Sequence, residues 1–490
     1  MKKASSGHEK QRVNLVWLKR DLRTSDHEPF FLAEKSGLPY LVLFLFEPSL
    51  CQRPDTSLRH LQFQYFSLQQ MNQVLDSHKA EICISYTEAV DFFNWITQHY
   101  AIDTVFSYRE SGTLQSYQRD IQIQKFFNQN SIVWKECQRD GILRGLKNRK
   151  NWDELWVEVM SQKCFSNTFH NIQSLRIEHP FTIPDELLKS IRNYPSSFQP
   201  AGEEFALKYL VGFLKKRGIN YSKNISKPEL SRRSCSRLSP YLSWGNISIR
   251  QVYQNTIAEM SQQEFKRPFL NFISRLHWHC HFIQKFEMEC AYENICINKG
   301  YENMHWTKNE YFIKAWQEGR TGVPIVDACM RCLHETGWIN FRMRALLVSF
   351  LCHHLFQDWR EGSYHLARLF LDYEPGIHFP QMQMQAGTTG VNLIRLYNPV
   401  KNSLQHDTDG IFIKKWIPEL KNLPNPFVHQ PWLLNEMEQS LYDFKYGIDY
   451  PKLIVDLNCA KENVRQLWEF RKNKEVIEEN KRILKVHVNS

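Results

Sequence analysis

Residues 306–362, WTKNEYFIKAWQEGRTGVPIVDACMRCLHETGWINFRMRALLVSFLCHHLFQDWREG, combine helical spacing of apolar residues with a high density of tryptophan. They lead into residues 369–399, LFLDYEPGIHFPQMQMQAGTTGVNLIRLYNP, which add carboxylates, glycine and proline. The tryptophans of the first stretch are Trp306, Trp316, Trp338 and Trp359. Because a buried indole N–H needs a hydrogen-bond partner, four tryptophans in one apolar region indicate packing that also serves a site.

Two arginines stand in the apolar part of this stretch. Arg342 and Arg344 come directly before the run ALLVSFLCHHLF, where buried cations need acidic partners. Asp372 and Glu374 follow in the second stretch and can supply them. The alternative interpretation is a large helical core with structural salt bridges and no ligand.

The composition is that of an ordinary globular protein, with 42% hydrophobic and 23% charged residues. Its 490 residues are enough for two or three domains with sizeable cores. No apolar run approaches the roughly 20 residues of a membrane span, and the N-terminus lacks the apolar segment of a secretory signal. We therefore expect a cytoplasmic protein without membrane partners, and a monomer, whose 12 cysteines are free thiols.

The charge and the aromatic content favour a polyanionic partner. The net charge is +10, and phosphate contacts supply most of the non-specific affinity for nucleic acid. Aromatic residues make up 13% of the chain, and flat side chains stack on bases and flavins alike. DNA is therefore a candidate partner.

The first 135 residues alternate apolar or β-branched runs with amphipathic helical patterns. The candidate strands are residues 13–18, 40–46, 81–86, 104–108 and 131–136. This alternation predicts a doubly wound parallel sheet in an α/β domain over residues 1–136. No G-x-G-x-x-G motif follows the first strand, so the usual dinucleotide-binding fingerprint is absent.

The rest of the chain divides into a linker and a helical region. Residues 137–202 are polar and contain proline and glycine, which is typical of an interdomain linker. Residues 203–490 have helical spacing almost throughout. The predicted fold class is therefore α/β plus all-α, with a doubly wound parallel sheet domain followed by a large helical domain.

Several motifs in one order make this chain resemble the cryptochrome and DNA photolyase family. They are GRTGVPIVDACMR (319–331), TGWINFRMR (336–344), DWREG (358–362) and the AGTTG…RLYNP run after Asp372, with VWLKRDLR near the N-terminus and FIKKWIPEL at 412–420. The resemblance covers most of the chain. It implies an N-terminal antenna domain and a helical domain that binds FAD.

One branch of the family carries an iron-sulfur cluster, which needs four cysteines. The last hundred residues contain only Cys459, so we expect no cluster. Cys329 and Cys332 form C-x-x-C, but no second pair at metal-ligand spacing accompanies them. We therefore predict no metal site.

The resemblance also implies which residues hold FAD. The family binds the FAD phosphates with a T-S-R-L-S pattern, in which Cys235 here replaces threonine, and it places an aromatic residue over the same group. Hydroxyls and free N–H groups at a helix start suit an anion, although a plain N-cap is the alternative. The implied residues are Tyr221, Cys235, Ser236, Arg237, Leu238, Ser239, Arg342, Arg344, Asp372, Glu374 and His378.

Two positions depart from the photolyase pattern. His378 stands where photolyases usually place asparagine near flavin N5, and a histidine titrates close to neutrality. Trp359 and Trp306 match the middle and outer members of the chain that photoreduces FAD, whereas Met382 occupies the inner position. Either another aromatic residue, such as Trp338 or Tyr373, replaces it, or cellular reductants reduce the flavin. Alternatively, Trp306 and Trp359 are core residues only.

The lesion pocket of the family is partly retained. Trp278 matches the tryptophan that stacks on a flipped pyrimidine dimer, and a helix-core tryptophan is its alternative interpretation. Arg275 replaces the glutamate that binds the dimer, Phe341 replaces an asparagine, and Met384 replaces a second stacking tryptophan. Because Phe341 occupies one position of the paired histidines of (6-4) enzymes, that chemistry is not expected.

Two functions follow from the resemblance. The first is a DNA photolyase that repairs cyclobutane pyrimidine dimers by light-driven electron transfer from reduced FAD, and the basic charge and Trp278 favour it. The alternative is a cryptochrome-type blue-light photoreceptor with an unknown signalling partner, which the changed pocket and His378 favour. A second, antenna chromophore of folate or deazaflavin type is left open, because Glu110 after the fourth strand is the one carboxylate that points to it.

Overall fold

The computed structural model of the chain describes residues 10–169, 172, 177–262 and 266–487. Its N-terminal part is a five-stranded, fully parallel sheet in the order β3-β2-β1-β4-β5. The strands are β1 (Arg12–Leu18), β2 (Tyr40–Phe46), β3 (Ile82–Tyr86), β4 (Ala101–Tyr108) and β5 (Val133–Cys137). All five predicted strands are confirmed, and β4 begins earlier than predicted because Ala101 already pairs with Arg12.

Both faces of this sheet are buried, as in other doubly wound folds. Every residue of β2 is buried, and its side chains alternate between two cores. Val42 belongs to a core that continues into the helical domain, whereas Leu43 belongs to a core with α4 and α5. The helices of this domain are α1 (Glu28–Lys35), α2 (Pro48–Cys51), α3 (Leu58–Asp76), α4 (Ala89–His99) and α5 (Leu114–Gln129).

The segment predicted as a linker contains two helices, α6 (Trp152–Ser161) and α7 (Asp185–Arg192). Both were missed in the sequence because polar residues and glycine flank α6, whereas prolines flank α7. Trp152, Trp156 and Met160 of α6 are buried in the core that joins the two domains. This segment therefore packs as part of the molecule.

From Glu203 the described chain is almost entirely helical, as predicted. Its α-helices are α8 (Glu203–Gly212), α9 (Tyr221–Asn224), α10 (Pro228–Ser234), α11 (Ser239–Ser243), α12 (Ile249–Ser261), α13 (Arg267–Met288), α14 (Glu310–Gln317), α15 (Pro324–Thr336), α16 (Phe341–Ser349), α17 (Arg360–Leu369), α18 (Pro375–Ala386), α19 (Pro399–His406), α20 (Ile411–Trp416), α21 (Glu436–Leu441), α22 (Cys459–Phe470) and α23 (Lys474–His487). Two π-helical segments extend α8 and α16, Phe213–Arg217 and Phe350–His354.

Helices α13 and α18 pack closely and carry much of the site described below. Gly376 makes this approach possible, because a Cβ atom there would lie 2.9 Å from Ile283 Cα. Helix α18 begins directly after Glu374, with Pro375 in its first turn, where a missing N–H costs nothing. The start of α18 is thereby held against the middle of α13.

The described residues also bear on a membrane span and on a metal site. Within them, no helix is long and apolar enough to cross a membrane. Nor does this part of the chain hold a group of three or more His, Cys, Asp or Glu side chains suited to a metal ion. Cys329 and Cys332 are both buried in α15, and burial raises the pKa of the Cys332 thiol to about 11.

Candidate functional site

A cavity of about 730 Å³ lies in the helical domain among α9, α11, α13, α16 and α18. Its volume falls in the range of roughly 300–1,000 Å³ that is typical of ligand pockets. The predicted site residues that line it are Tyr221, Cys235, Ser236, Arg237, Leu238, Ser239, Arg275, Trp278, Phe341, Arg344, Asp372, Glu374, His378 and Met384. The fold thus brings together nearly all of the predicted cofactor and substrate residues.

The loop before α18 holds Asp372 against α16. Arg344 Nη2 donates to Asp372 Oδ2 over 2.7 Å, and Arg344 Nε donates to the carbonyl of Ile339 over 3.0 Å. The predicted ion pair of Arg344 with Asp372 is therefore present. The other carboxylate oxygen, Oδ1, is buried and has no hydrogen-bond partner among the described residues. Asp372 thus offers one acceptor to a ligand.

Glu374 is held by the N-terminal half of the chain. Arg20 Nη1 donates to Glu374 Oε2 over 3.0 Å, and Arg139 Nη2 lies 3.5 Å from the same oxygen. Oε1 is buried without a hydrogen-bond partner in the part of the chain that the structure describes. Sequence reasoning missed both arginines. For Arg20 a signal was available, because Lys19 and Arg20 in VWLKRDLR are charged residues at the end of an apolar strand.

The segment between α10 and α11 contributes a cation to the cavity wall. Arg237 has φ of 61°, and its Nε and Nη2 donate to Gln199 Oε1 over 2.9 and 2.6 Å. Its guanidinium lies 4.0 Å from the Trp338 ring centroid. No carboxylate of the described residues forms an ion pair with it, and burial lowers its pKa to about 10. Gln199 was not predicted.

The hydroxyl and thiol groups beside Arg237 complete this wall. Trp338 Nε1 donates to Ser239 Oγ over 3.2 Å, so Ser239 keeps its own proton for another acceptor. The backbone N–H of Leu238 lies 3.4 Å from Ser236 Oγ. Burial raises the pKa of the Cys235 thiol to about 12, so it stays protonated at neutral pH. The wall therefore presents donors and one cation.

His378 lies in the second turn of α18 and is buried. Its Nε2 is 2.9 Å from the carbonyl of Ser363, an acceptor, so Nε2 carries the proton and Nδ1 accepts. Burial lowers the pKa of His378 to about 4. The expectation that this histidine titrates close to neutrality is therefore wrong, because the depth of burial was not visible in the sequence. At neutral pH the ring is uncharged.

Arg342 and the two predicted electron-carrying tryptophans do not line the cavity. The Arg342 guanidinium lies 6.0 Å from the Tyr397 ring centroid, and its Nε is buried without a partner among the described residues. Trp359 is fully buried, and the partly buried Trp306 packs on Phe356 with 5.0 Å between ring centroids. Met382 lines the cavity, so a thioether and no aromatic ring stands at the inner position.

Exposed apolar side chains mark the mouth of the cavity. Trp278 is 45% exposed, and its ring lies 5.8 Å from that of Phe282 on the same helix. Phe341 is 41% exposed, and the Arg275 guanidinium lies 5.5 Å from its ring centroid. Met384 lies in the same wall. A large tryptophan left half in water beside a cavity offers a stacking surface that the described residues cover only in part.

The residue predicted for an antenna chromophore, Glu110, belongs to a buried ion-pair network. Arg119 Nη2 donates to Glu110 Oε2 over 2.6 Å and also pairs with Glu47 and Asp120. Burial alone would raise the pKa of Glu110, but Arg119 and Lys19 outweigh it and lower the pKa. This carboxylate is therefore satisfied within the protein.

The cavity fits a flavin dinucleotide in its chemistry. Arg237 is a buried cation that forms no ion pair among the described residues, and it suits a diphosphate. Asp372 Oδ1 and Glu374 Oε1 are buried acceptors that need N–H or O–H donors from a ligand. A molecule with anionic groups and several donors satisfies all three.

Comparison with known proteins matches both halves of the chain to models of one protein family. The family model described as the FAD binding domain of DNA photolyase matches residues 272–469, and the model described as DNA photolyase matches residues 14–145. Together they cover most of the chain, including the parallel sheet and the cavity wall from α13 onward, whereas Tyr221 and residues 235–243 lie between the two matched ranges.

Relatives and solved structures extend over nearly the whole length. A deoxyribodipyrimidine photo-lyase of Alkalihalophilus pseudofirmus is 29% identical over 91% of this chain and 95% of its own. A cryptochrome DASH of Synechocystis is 26% identical over 92% and 97%. The crystal structure of a Synechocystis cryptochrome has a TM-score of 0.85 at 24% identity and covers 94% of this chain and 100% of its own. The two-part fold is thereby shown.

Proposed function

This chain belongs to the cryptochrome and DNA photolyase family, and from that premise we propose that it is a DNA photolyase that repairs cyclobutane pyrimidine dimers with bound FAD. The observation that carries the proposal is the half-exposed Trp278 at the mouth of the cavity. A flipped base is held by stacking between aromatic or apolar side chains, and Trp278 with Phe282 offers such a surface.

The residues of the cavity divide between cofactor and lesion in this proposal. Arg237 and Ser236 would hold the diphosphate of FAD, and Asp372 and Glu374 would accept hydrogen bonds from its other groups. His378 stays neutral and keeps Nδ1 as an acceptor. When bound, FAD would supply the light-driven electron that opens the cyclobutane ring of the lesion.

The protein's own task is to position the cofactor and the lesion. Arg344 fixes Asp372, and Arg20 fixes Glu374, so the acceptor oxygens of both carboxylates have set directions. Trp278 positions the lesion through its π-face, worth about 1–3 kcal/mol per stacked base. We further propose that the protein acts as a monomer on DNA in the cytoplasm, and a second chromophore remains open.

A second candidate function is a blue-light photoreceptor of cryptochrome type without repair. The observation that favours it is the pair of Arg275 and Phe341, which packs together at the mouth. This pair replaces the glutamate and asparagine that photolyases offer to a dimer. Fewer side chains at the mouth can therefore form hydrogen bonds with the lesion.

Repair of thymine dimers in single- and double-stranded DNA by purified protein, reductant and blue light tests the proposal. We expect loss of dimers that requires both light and reduced flavin. Bound FAD that cycles under light without any repair would instead establish the photoreceptor.

Trp278→Ala separates stacking from cofactor binding. The variant should bind dimer-containing DNA about 1–3 kcal/mol more weakly, because one stacking contact is lost, while its FAD content is unchanged. Gel-shift titration in the dark measures this affinity. The exposed Tyr311, which does not line the cavity, provides the matched control as Tyr311→Ala. Equal affinity of Trp278→Ala and wild type would remove Trp278 from the lesion site.

A further inference from the structure

A second cavity, of about 420 Å³, lies in the N-terminal domain at the carboxyl ends of β1, β4 and β5. Its wall includes Glu28 at the start of α1, Arg109 directly after β4 and Glu136 in β5, none of which lines the cavity of the helical domain. The strand order changes direction at β1, which pairs with β2 on one side and with β4 on the other. Such a point, outside the carboxyl ends of the strands, is where open α/β sheets bind ligands.

Arg109 brings a cation without an ion pair into this cavity. Its backbone N–H donates to the carbonyl of Cys137 over 2.9 Å, which holds the residue beside β5. Its guanidinium makes no hydrogen bond or ion pair with the described residues, although its Nε is buried. A buried N–H group without an acceptor in the protein needs one from water or from a ligand.

Glu28 brings a carboxylate that accepts no hydrogen bond from the described part of the chain. Burial raises its pKa, and the charge of Arg250 opposes this shift only in part. Arg250 is itself engaged by Asp26, to which it donates over 2.6 and 3.2 Å. The charge of Glu28 is therefore not fully compensated within the protein.

Glu136 brings a second carboxylate with an unused oxygen. Its Oε1 is buried and has no hydrogen-bond partner among the residues that the structure describes. The nearest cation is Arg144, whose Nη1 lies 3.6 Å from Oε1 and whose Nε donates to Glu287 over 2.8 Å. Glu136 can thus accept a hydrogen bond from a donor inside the cavity.

Cys137 shows that these three charged groups act at one place. Burial, followed by Glu28 and Asp21, raises the pKa of its thiol, while Arg109 opposes the shift and Glu136 adds to it. The thiol therefore stays protonated at neutral pH and contributes no charge. The cavity combines one unpaired cation with two carboxylates that lack a full set of partners.

A ligand with charges of both signs matches this arrangement. An anion alone would leave the carboxylates unmatched, and a cation alone would leave Arg109 unmatched. We propose that the cavity binds a small zwitterion of the amino-acid type, whose carboxylate pairs with Arg109 and whose ammonium group contacts Glu28 and Glu136. A guanidinium donates two parallel hydrogen bonds to a carboxylate, and an ammonium group offers three donors. The cavity reaches the surface beside Lys135 and Gln162, which are exposed, so such a molecule can enter.

Derivatives of one amino acid test the two charges separately. Isothermal titration of the flavin-loaded wild type in the dark compares L-lysine with L-lysinamide, which lacks the carboxylate, and with Nα-acetyl-L-lysine, which lacks the α-ammonium group. We expect both derivatives to bind about tenfold or more weakly than L-lysine, because each loses hydrogen bonds to a charged group. L-Glutamine, whose side chain is uncharged, is titrated as a second zwitterion.

Two variants assign the contacts to residues. Arg109→Gln should weaken the binding of L-lysine about tenfold and remove its advantage over L-lysinamide. Glu28→Gln should remove the advantage over Nα-acetyl-L-lysine. Glu462→Gln, which breaks an exposed pair with Arg465, is the matched control and should keep the wild-type affinity. All three variants should keep their FAD, because none of these residues lines the cavity of the helical domain.

The comparison of derivatives uses the wild type, so it decides the question even if a variant folds poorly. No binding of L-lysine or L-glutamine to the wild type overturns the site and leaves a cavity filled by water. Equal binding of L-lysine and L-lysinamide overturns the contact of Arg109 with a carboxylate. The site does not depend on DNA repair, so either result leaves the proposed function unchanged.

Discussion

At the scale of single residues, the site depends on carboxylates that use one oxygen for an arginine and leave the other for a ligand. Asp372 does so with Arg344, and Glu374 with Arg20. A buried carboxylate is costly unless both of its oxygens have partners. The arginines therefore act as positioning residues for whatever the free oxygens bind.

Asp372→Asn should lower the affinity for FAD by about 2–4 kcal/mol, because Arg344 loses its ionic partner and one acceptor turns into a donor. The measurement is the flavin-to-protein ratio after purification, followed by titration with added FAD. Glu462→Gln, which breaks the exposed pair with Arg465, is the control and should bind FAD normally. A full flavin complement in Asp372→Asn would remove this residue from the cofactor site.

Of the two aromatic residues considered for the inner position, Trp338 and Tyr373, we propose that Tyr373 carries the electron. It lines the cavity, its ring lies 5.4 Å from that of His378, and its hydroxyl donates to Asp55 Oδ2 over 2.6 Å. A phenol that loses an electron must also lose its proton, and the Asp55 carboxylate can take it. Trp338 is less suited, because loss of an electron would give its ring a positive charge next to the Arg237 cation.

Tyr373→Phe should therefore slow photoreduction of the flavin at least tenfold and remove a tyrosyl radical signal after a light pulse. Transient absorption and electron paramagnetic resonance measure the two effects, with FAD content as the check on folding. Trp359→Phe provides the comparison. If photoreduction is slow in Trp359→Phe but not in Tyr373→Phe, the electron path runs through Trp306 and Trp359 and does not use Tyr373.

At the scale of helices and strands, the sequence predicts best where a pattern is local. The spacing of the apolar residues was sufficient to predict all five strands and the helical character of the second half of the chain. It was insufficient for α6, which lies among polar residues, and for α7, which lies between prolines. Arg20 and Arg139 were missed because their contacts with Glu374 join elements that are far apart in the chain.

The motif at residues 319–331, which includes the start of helix α15, stabilises the fold and does not line the cavity. Asp327 accepts hydrogen bonds from Thr321 N and Oγ1 over 2.8 and 2.6 Å, from Gly322 N over 3.1 Å, and from the Tyr450 hydroxyl. Asp327→Asn turns one acceptor into a donor that faces other donors. We expect a loss of about 2–4 kcal/mol in the free energy of unfolding, measured by denaturant titration. Unchanged stability would show that the loop finds other acceptors.

At the scale of the whole molecule, burial of histidine sets the pH range of stability. The pKa values of His60, His353, His354 and His378 are each lowered to about 4, first of all by burial. The unfolded chain binds protons on these groups near pH 6.5, so the stability they contribute is complete above that pH. It is lost as the pH falls toward 4.

We therefore expect the free energy of unfolding to fall between pH 6.5 and 4, by up to about 1.4 kcal/mol per pH unit for each fully buried histidine. Asp327 and Asp407, whose pKa values burial raises to about 6, oppose this trend in the same range. Denaturant titrations at several pH values measure the slope. His60→Gln should flatten it, and an unchanged slope would contradict the assignment.

The link from Arg20 and Arg139 to Glu374 has a consequence for how such proteins can be recombined. A gene fusion that joins the sheet of one family member to the helices of another replaces two of the cations that hold a cavity carboxylate. Such a chimera can fold well in each half and still bind its flavin poorly. We therefore expect a working chimera to need both halves from one parent.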